Sequence, residues 1–588
     1  MLKLFKYLRK KDWLLIVASV ALIVAQVWLD LRLPDYMSDI TLLIKTEGSA
    51  MSEILAAGGK MLLCALGSAL LSVVVGYFAA RIGASFSYIA REKVFTKVSD
   101  FGIGEMHQFS AASLITRTTN DITQVQMVIS MGLQVIIKAP ILAVWAVCKI
   151  VGKNWELSLV TAGAVVFIAI VLTFLMVFVM PKFKMLQKLV DNINRVTREN
   201  LTGLRVVRAF NAEEYQMGKF EKANEELTKT QLFTQRAMAV MQPTMMLVMN
   251  GLSLAISWFG AYLINKTDAA GRLTLFSEVM VFSSYAMYVI MSFMMLIMIF
   301  MILPRAEVSA NRINEVITAP IAVKQGHRTE GETNEGKITG EIEFKNVSFH
   351  YPDSDKNVLT NISFTAKKGE TIAFIGATGS GKTTLVNLVA RLYDATEGTV
   401  LIDGTDVREY TFKALYNKLG YVSQKAILFS DTIKNNVAFG ESAAALTDET
   451  IAKAIDIAQA SGFVAEKDKG IDSDIAQGGA NVSGGQKQRL SIARAIARNP
   501  EILIFDDSFS ALDYKTDREV RSRIEKELKG TTCLIVAQRI GTIRHADKII
   551  VLDEGQAVGI GTHEELLKNC SVYKEIALSQ LSAAELDA

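Results

Sequence analysis

The sequence predicts an α-helical membrane half followed by an α/β half, and three observations lead there. Half of the 588 residues are hydrophobic and mean hydropathy is +0.28, yet the apolar residues concentrate before about position 317. Six runs in that region are long enough to cross a bilayer, whose ~30 Å hydrocarbon core takes roughly 20 mainly apolar residues of helix. Beyond Gly340 the apolar runs shorten and alternate between strand-like and helix-like patterns, as in an α/β domain. The expected division is a membrane domain over 1–317, a linker over 318–340 and a second domain over 341–588.

The six predicted spans lie at about 13–33, 58–80, 127–151, 157–180, 238–264 and 275–303. Trp13, Trp28, Trp145, Trp155 and Trp258 fall within or near their ends, where several suit an interfacial belt. Lys3, Lys6, Arg9, Lys10 and Lys11 precede the first span, and 181–237 holds eleven Lys and Arg, against Lys266 and Arg272 between spans five and six. The positive-inside rule then makes the N-terminus, the even-numbered loops and the second domain cytoplasmic. The first apolar stretch is long enough to span and lacks a clear cleavage site, unlike a removable signal. LKLFKYLRKKDW before it reads as an amphipathic segment along the inner membrane surface. Four scattered cysteines offer neither a disulfide framework nor metal-ligand spacing. A net charge of +3 gives no basic excess, so no nucleic acid is expected, and the apolar runs make a lipid bilayer the expected surroundings.

The segments after spans two and four have few Gly or Pro, and predict membrane helices that continue into the cytosol. Each turns at a polar stretch, at 109–122 (FSAASLITRTTNDI) and 206–216 (VVRAFNAEEYQ). The run from Pro320 to Gly340, rich in Gly, Thr and charge, reads as linker. Lys138 and Glu278 are ionisable residues at or near spans, and such groups are functional candidates. Twelve of the 23 methionines lie between Met238 and Met301. Flexible, polarizable methionine surfaces accommodate varied apolar ligands, although ordinary packing explains them equally.

The second domain opens its chemistry with GATGSGKT, comprising Gly376, Ala377, Thr378, Gly379, Ser380, Gly381, Lys382 and Thr383. It follows an apolar strand and precedes a helix beginning with Thr384, which is the setting a Walker A phosphate loop requires. Its backbone N–H groups and the helix N-terminus favour phosphate. Lys382 is expected to reach the β- and γ-phosphates and Thr383 to coordinate Mg²⁺. ATP and Mg²⁺ are therefore the expected cofactors. The strand EILIF ends in Asp506, a second Mg²⁺ ligand in this reading.

Between those motifs lies NVSGGQKQRL, and there the chain resembles the ATP-binding cassette (ABC) family, specifically its exporter half-transporters. The resemblance implies an exporter-type six-span helical domain followed by an α/β P-loop nucleotide-binding domain with a helical signature subdomain. In that family two nucleotide domains sandwich two ATPs, and the signature of one domain contacts ATP held by the other. Ser483, Gly484, Gly485 and Gln486 match that signature. Tyr351 matches the residue that stacks on adenine, and Gln424 the Q-loop glutamine near Mg²⁺ and the attacking water. Ser510 and Asp513 match the D-loop. The 206–216 stretch resembles an exporter coupling helix. The implied function is ATP-driven export, by alternating access, of a small amphipathic or hydrophobic molecule across the cytoplasmic membrane.

Two positions depart from the family pattern. Asp507 stands where the family has a catalytic glutamate, and Gln538 where it has a switch histidine. Aspartate is one methylene short for positioning the lytic water, and misplacement by about 1 Å costs on the order of 10²-fold in rate. Glutamine lacks the imidazole's second ring nitrogen and its protonation near neutrality. With Asp507, Gln538 and Gln424 as the catalytic set, the expectation is an ATPase subunit that binds ATP, hydrolyses it weakly and pairs with a second half-transporter. The alternatives are a homodimer with slow Asp507 sites, and an ATP-gated channel or sensor on the same architecture.

Overall fold

The computed structural model describes residues 2–46, 49–151, 155–268, 271–329, 340–440 and 446–580. The chain forms two compact units. The first comprises Met1–Ser99 with Ala112–Ala319, and the second Asp100–Ala111 with Pro320–Ala588.

The first unit is helical. A short α1 (Leu2–Phe5) leads into α2 (Lys10–Lys45) and α3 (Met51–Ser99). The chain crosses the second unit through α4 (Ile103–Phe109), then returns through α5 (Ala111–Thr116), a π turn (Arg117–Asp121) and α6 (Ile122–Val151). α7 (Trp155–Thr202), the short α8 (Leu204–Ala209), α9 (Glu213–Lys266) and α10 (Arg272–Thr318) complete it. Each predicted span lies inside one helix: α2, α3, α6, α7, α9 and α10. Among the described residues five stretches meet the length and hydropathy of a membrane crossing, and a shorter apolar stretch, Trp155–Val171, lies in α7. At 1.5 Å rise per residue, the 54 residues of α9 reach about 80 Å, far beyond a ~30 Å hydrocarbon core. The long helices therefore continue past the membrane, as expected. Leu62, Leu63, Leu66, Leu70 and Val73 on α3 are exposed, the mark of a lipid-facing stripe, while Ile23, Val27, Leu142, Ile256, Phe282 and Tyr285 form the interhelical core.

Two lysines inside this unit are paired. Lys138 of α6 bonds Asp30 of α2 at 3.0 Å, and Ser68 of α3 donates to the same carboxylate. Lys149 bonds Asp35 at 2.9 Å, and the Tyr285 hydroxyl donates to Asp35 at 2.6 Å. A charge within a span demands such a partner.

The first turn between long helices begins earlier than the predicted 109–122 and ends inside it. α3 stops at Ser99, Gly102 is the extended N-cap of α4, and Ser110 takes φ +51°. The polar RTTND stretch stays within a helical run, where Thr118 and Thr119 donate to carbonyls four residues back and Arg117 pairs with Glu315 at 2.8 Å. The second turn falls as predicted, through α8 and Asn211 (φ +51°) into α9, whose first turn carries Glu213 and Glu214.

The second unit is built on two sheets. β1 (Ile342–Phe349), β2 (Leu359–Ala366), β4 (Glu397–Ile402) and β5 (Thr405–Asp406) form an antiparallel sheet ordered β2-β1-β4-β5. β3 (Thr371–Gly376), β6 (Leu419–Val422), β9 (Ile502–Asp506), β10 (Thr532–Val536), β11 (Lys548–Asp553) and β12 (Gln556–Gly561) form the larger one, ordered β12-β11-β3-β10-β9-β6. All its pairs are parallel except β11 with β12. Its central strands are buried apolar runs, as a sheet covered on both faces requires.

Around the sheets run α11 (Lys382–Val389), α12 (Phe412–Lys418), α13 (Ile433–Val437), α14 (Asp448–Ile457), α15 (Ser461–Ala465) and α16 (Gly484–Ala497). α17 (Tyr514–Glu527) and α18 (Ile540–Ile543) follow, and β7 (Asp431–Thr432) pairs with β8 (Asp474–Ile475). The predicted helical subdomain corresponds to α14–α16, packed over Val422, Leu503 and Phe505. The expected linker is partly structured: Gly326–Arg328 lies hydrogen-bonded along Glu409–Thr411, and the Lys324 carbonyl accepts from Arg391. Residues 330–339 of that stretch fall outside the described residues.

Candidate nucleotide site

Parallel strands place functional loops at their carboxyl ends. β3 ends in Gly376 and β9, two strands away across β10, ends in Asp506, so loops from distant sequence converge. At Gly376, φ is +155° and an added Cβ would sit 2.0 Å from the Leu552 carbonyl oxygen, so only glycine lets this loop leave the strand.

Lys382 opens α11 and is buried. Its ammonium donates to the Gly376 and Ala377 carbonyls at 2.8 and 2.7 Å and to Ser380 Oγ at 3.3 Å. Burial lowers its pKa, while Asp507 and Asp506 pull it the other way. Thr383 Oγ1 donates to Asp506 Oδ1 at 2.8 Å, and the Tyr421 hydroxyl lies 3.4 Å from Asp506 Oδ2. Asp506 is only 3% exposed, and this burial raises its pKa.

Asp507 is 8% exposed at φ +47°, with its N–H bonded to the Val536 carbonyl at 3.1 Å. Its Oδ2 accepts from the Gln538 amide at 2.9 Å and the Gln424 amide at 3.2 Å. The two positions singled out as departures are therefore bonded to each other. Burial raises the Asp507 pKa, and the two amide bonds partly offset it.

Tyr351 lies beside the loop. Its hydroxyl bonds Thr384 Oγ1 at 2.8 Å, and its ring meets Phe349 and Tyr393 edge-on at 5.0 and 5.3 Å. Burial pushes the Tyr393 hydroxyl up to about 12.

Ser483 and Gln486 form a separate group. Ser483 caps α16, its Oγ accepting from the Gln486 N–H at 3.3 Å while Gln486 Oε1 accepts from the Ser483 N–H at 2.9 Å. This reciprocal capping box leaves Gly484 exposed at the helix N-terminus. Among the described residues no hydrogen bond joins that group to the phosphate loop. Ser510 Oγ donates to the Asp507 carbonyl at 2.8 Å, and Asp513 caps α17 by accepting from Thr516 N–H at 3.0 Å.

Sequence reading missed Tyr421 and Ser508. The Ser508 hydroxyl donates to the Val422 carbonyl at 2.8 Å and ties the loop after β9 to β6. No local motif marks either residue, because strand order alone brings them in.

Apolar helices long enough to span a membrane and a phosphate loop facing a buried carboxylate define an ATP-driven membrane transporter. The chain belongs to the ABC transporter family: the ABC transporter model matches 359–510, and the ABC transporter transmembrane region matches 13–293. It is 38% identical to an uncharacterized ABC transporter ATP-binding protein of Mycobacterium tuberculosis, over 90% of this chain and 89% of the relative. It is also 31% identical to the ATP-dependent lipid A-core flippase of Pseudomonas aeruginosa, over 86% of this chain and 82% of the relative. The structure of a bacterial Atm1-family ABC exporter with ATP bound shares its fold, at TM-score 0.79 and 23% identity over 97% of this chain and 99% of that one. The resemblance, the fold class and the ATPase reading drawn from the motifs therefore hold. The chain is an exporter-type multi-pass membrane protein that binds ATP, couples its hydrolysis to transport and works as a dimer.

Proposed function

We propose that this chain is the hydrolysis-impaired half of a heterodimeric exporter in the cytoplasmic membrane, with the nucleotide unit on the cytoplasmic side. One observation carries the reading. Asp507 and Gln538 are bonded to each other, so Asp507 Oδ2, already one methylene short of a glutamate oxygen, is engaged by two amides. A carboxylate so held is poorly placed to take a proton from a water in line with the γ-phosphate.

The remaining residues suit tight ATP binding. In this proposal the Gly376–Gly381 loop cradles the phosphates, Lys382 neutralises them, Thr384 adds a hydroxyl and Tyr351 stacks on adenine. Thr383 and Asp506 fit Mg²⁺: hard oxygen donors 2.8 Å apart, one a buried carboxylate, with Gln424 close enough to Asp507 to assist. When bound, the ion neutralises charge on the β- and γ-phosphates. Ser483, Gly484, Gly485 and Gln486 cap the ATP of the partner subunit, and Ser510 and Asp513 line the crossing between domains. Closure around ATP shifts the membrane helices outward-facing, since a ligand moves an equilibrium by its differential affinity for the two states.

The cargo in this reading is small and amphipathic or hydrophobic. The methionine-rich stretches of α9 and α10 and the lipid flippase among the relatives support that class. The test compares ATP turnover of the lone chain with that of the chain co-purified with its natural companion. Little turnover alone and full turnover together is the expected result. Full turnover by the lone chain overturns the heterodimer.

A further inference from the structure

We propose that Glu105 is a positioning residue that fastens both passages between the membrane helices and the nucleotide unit into one clamp beside Tyr351. The chain passes into the second unit at Asp100, directly after α3, and again at Pro320, directly after α10. Glu105 is only 7% exposed and serves both passages. Its Oε2 accepts from the Gly102 N–H at 2.9 Å and its Oε1 from the Ala322 N–H at 2.8 Å.

The α4 segment rests on the Tyr351–Tyr393 patch, and the strap after α10 lies beside it. Ile103 and Tyr351 both pack against the core containing Tyr393, and a Cβ on Gly104 would lie 3.7 Å from the Tyr393 ring. A Cβ on Gly102 would lie 4.0 Å from Val323. Past Ala322 the strap stays attached: Arg391 donates to the Lys324 carbonyl at 2.6 Å, and the Gly326 N–H bonds the Tyr410 carbonyl at 3.0 Å. There an added Cβ would sit 2.2 Å from the Glu409 carbonyl oxygen, which makes Gly326 a close-approach glycine.

Two backbone N–H groups that converge on one buried side chain call for two acceptors, and a carboxylate is the acceptor-only group that provides them. A glutamine keeps one acceptor and turns an N–H₂ against the second donor. With the clamp intact, movement of the Tyr351–Tyr393 patch draws on the α3 and α10 leads together. Without it the α10 lead is released from α4, while every group placed around the phosphates is untouched.

The test uses the assembled transporter in nanodiscs with Glu105→Gln and Glu105→Ala, carrying Cys64→Ser and Cys148→Ser. Spin labels at Ile44→Cys and Val151→Cys, on the far ends of α2 and α6, report opening at saturating ATP with vanadate. The KM for ATP and the thermal midpoint are measured alongside. The expected result is an opened fraction reduced about fivefold in Glu105→Ala and less in Glu105→Gln, with KM within about twofold and the midpoint unchanged. An opened fraction equal to wild type in both variants overturns the clamp. So does a loss of opening that a rise in KM fully accounts for, since that marks a purely structural role. A wild type whose labels never respond to ATP overturns it too, because the clamp then carries no signal. If Glu105→Ala does not assemble, Glu105→Gln, matched in size, decides on the same readouts.

Discussion

Exchanging Asp507 for glutamate and Gln538 for histidine restores the residue pair usual in the family. In the structure the Asp507 carboxylate oxygen lies 2.9 Å from the Gln538 amide and 3.2 Å from the Gln424 amide, and the backbone is pinned at φ +47°. A glutamate on the same backbone carries its carboxylate about one C–C bond, ~1.5 Å, further toward the phosphate side. Displacement by about 1 Å is associated with on the order of 10²-fold in rate, or about 2.7 kcal/mol at the barrier. Asp507→Glu alone should therefore raise steady-state ATP turnover at this site, read in the assembled transporter with the partner's site inactivated, by about 10-fold or more. Adding Gln538→His, which removes the amide that holds the carboxylate back, should bring the gain near 100-fold. KM for ATP should stay put, because Lys382, Thr383 and Asp506 are untouched. Phosphate release under saturating ATP is the assay. If the double exchange leaves turnover at the parental rate, carboxylate placement does not limit this site and the reasoning from Asp507 geometry is wrong.

Truncating Tyr351 to alanine removes a stacking face worth about 1–3 kcal/mol, so ATP affinity should fall about 5- to 100-fold by fluorescent-nucleotide titration. Tyr351→Phe, losing only the bond to Thr384, should stay within about fivefold. Asp30→Asn leaves Lys138 without its counter-charge. At values between exposed and buried pairs this costs about 1–3 kcal/mol, visible as a lower thermal midpoint in detergent that the exchange Asp30→Lys with Lys138→Asp recovers. Burial raises the pKa of Asp507, so the folded chain binds this proton more tightly than the unfolded chain. That contribution to stability is complete below the unfolded value of about 4 and is lost as pH rises through the raised folded value. Asp507→Asn should therefore stabilise the chain at pH 7.5 and lose that advantage in acid. Residual hydrolysis by the unsubstituted chain, which needs the ionised carboxylate, should fall as pH drops through the same range.

Five of the predicted spans, the phosphate loop and the strand ending in Asp506 were legible in the sequence, because each is a local pattern. An apolar run of membrane length forms a helix wherever it is placed, and GATGSGKT between a strand and a helix shapes its own loop. Polarity alone placed the first turn between long helices too late. The RTTND segment stays within a helical run and Arg117 ties it to Glu315 on α10, a contact that lies beyond a local reading. Local reading likewise did not show that part of the expected linker, Lys324–Arg328, is held by Arg391, Glu409 and Tyr410.

From sequence alone came the identity of the unusual residues, Asp507 and Gln538, and the charge on Lys138. Tertiary structure decided what each one touches: Asp507 with Gln538 and Gln424, Lys138 with Asp30, Glu105 with the backbone of Ala322. These bonds join residues 31, 83, 108 and 217 positions apart. Strand order and helix packing set those neighbours, and neither is encoded in the spacing of a motif.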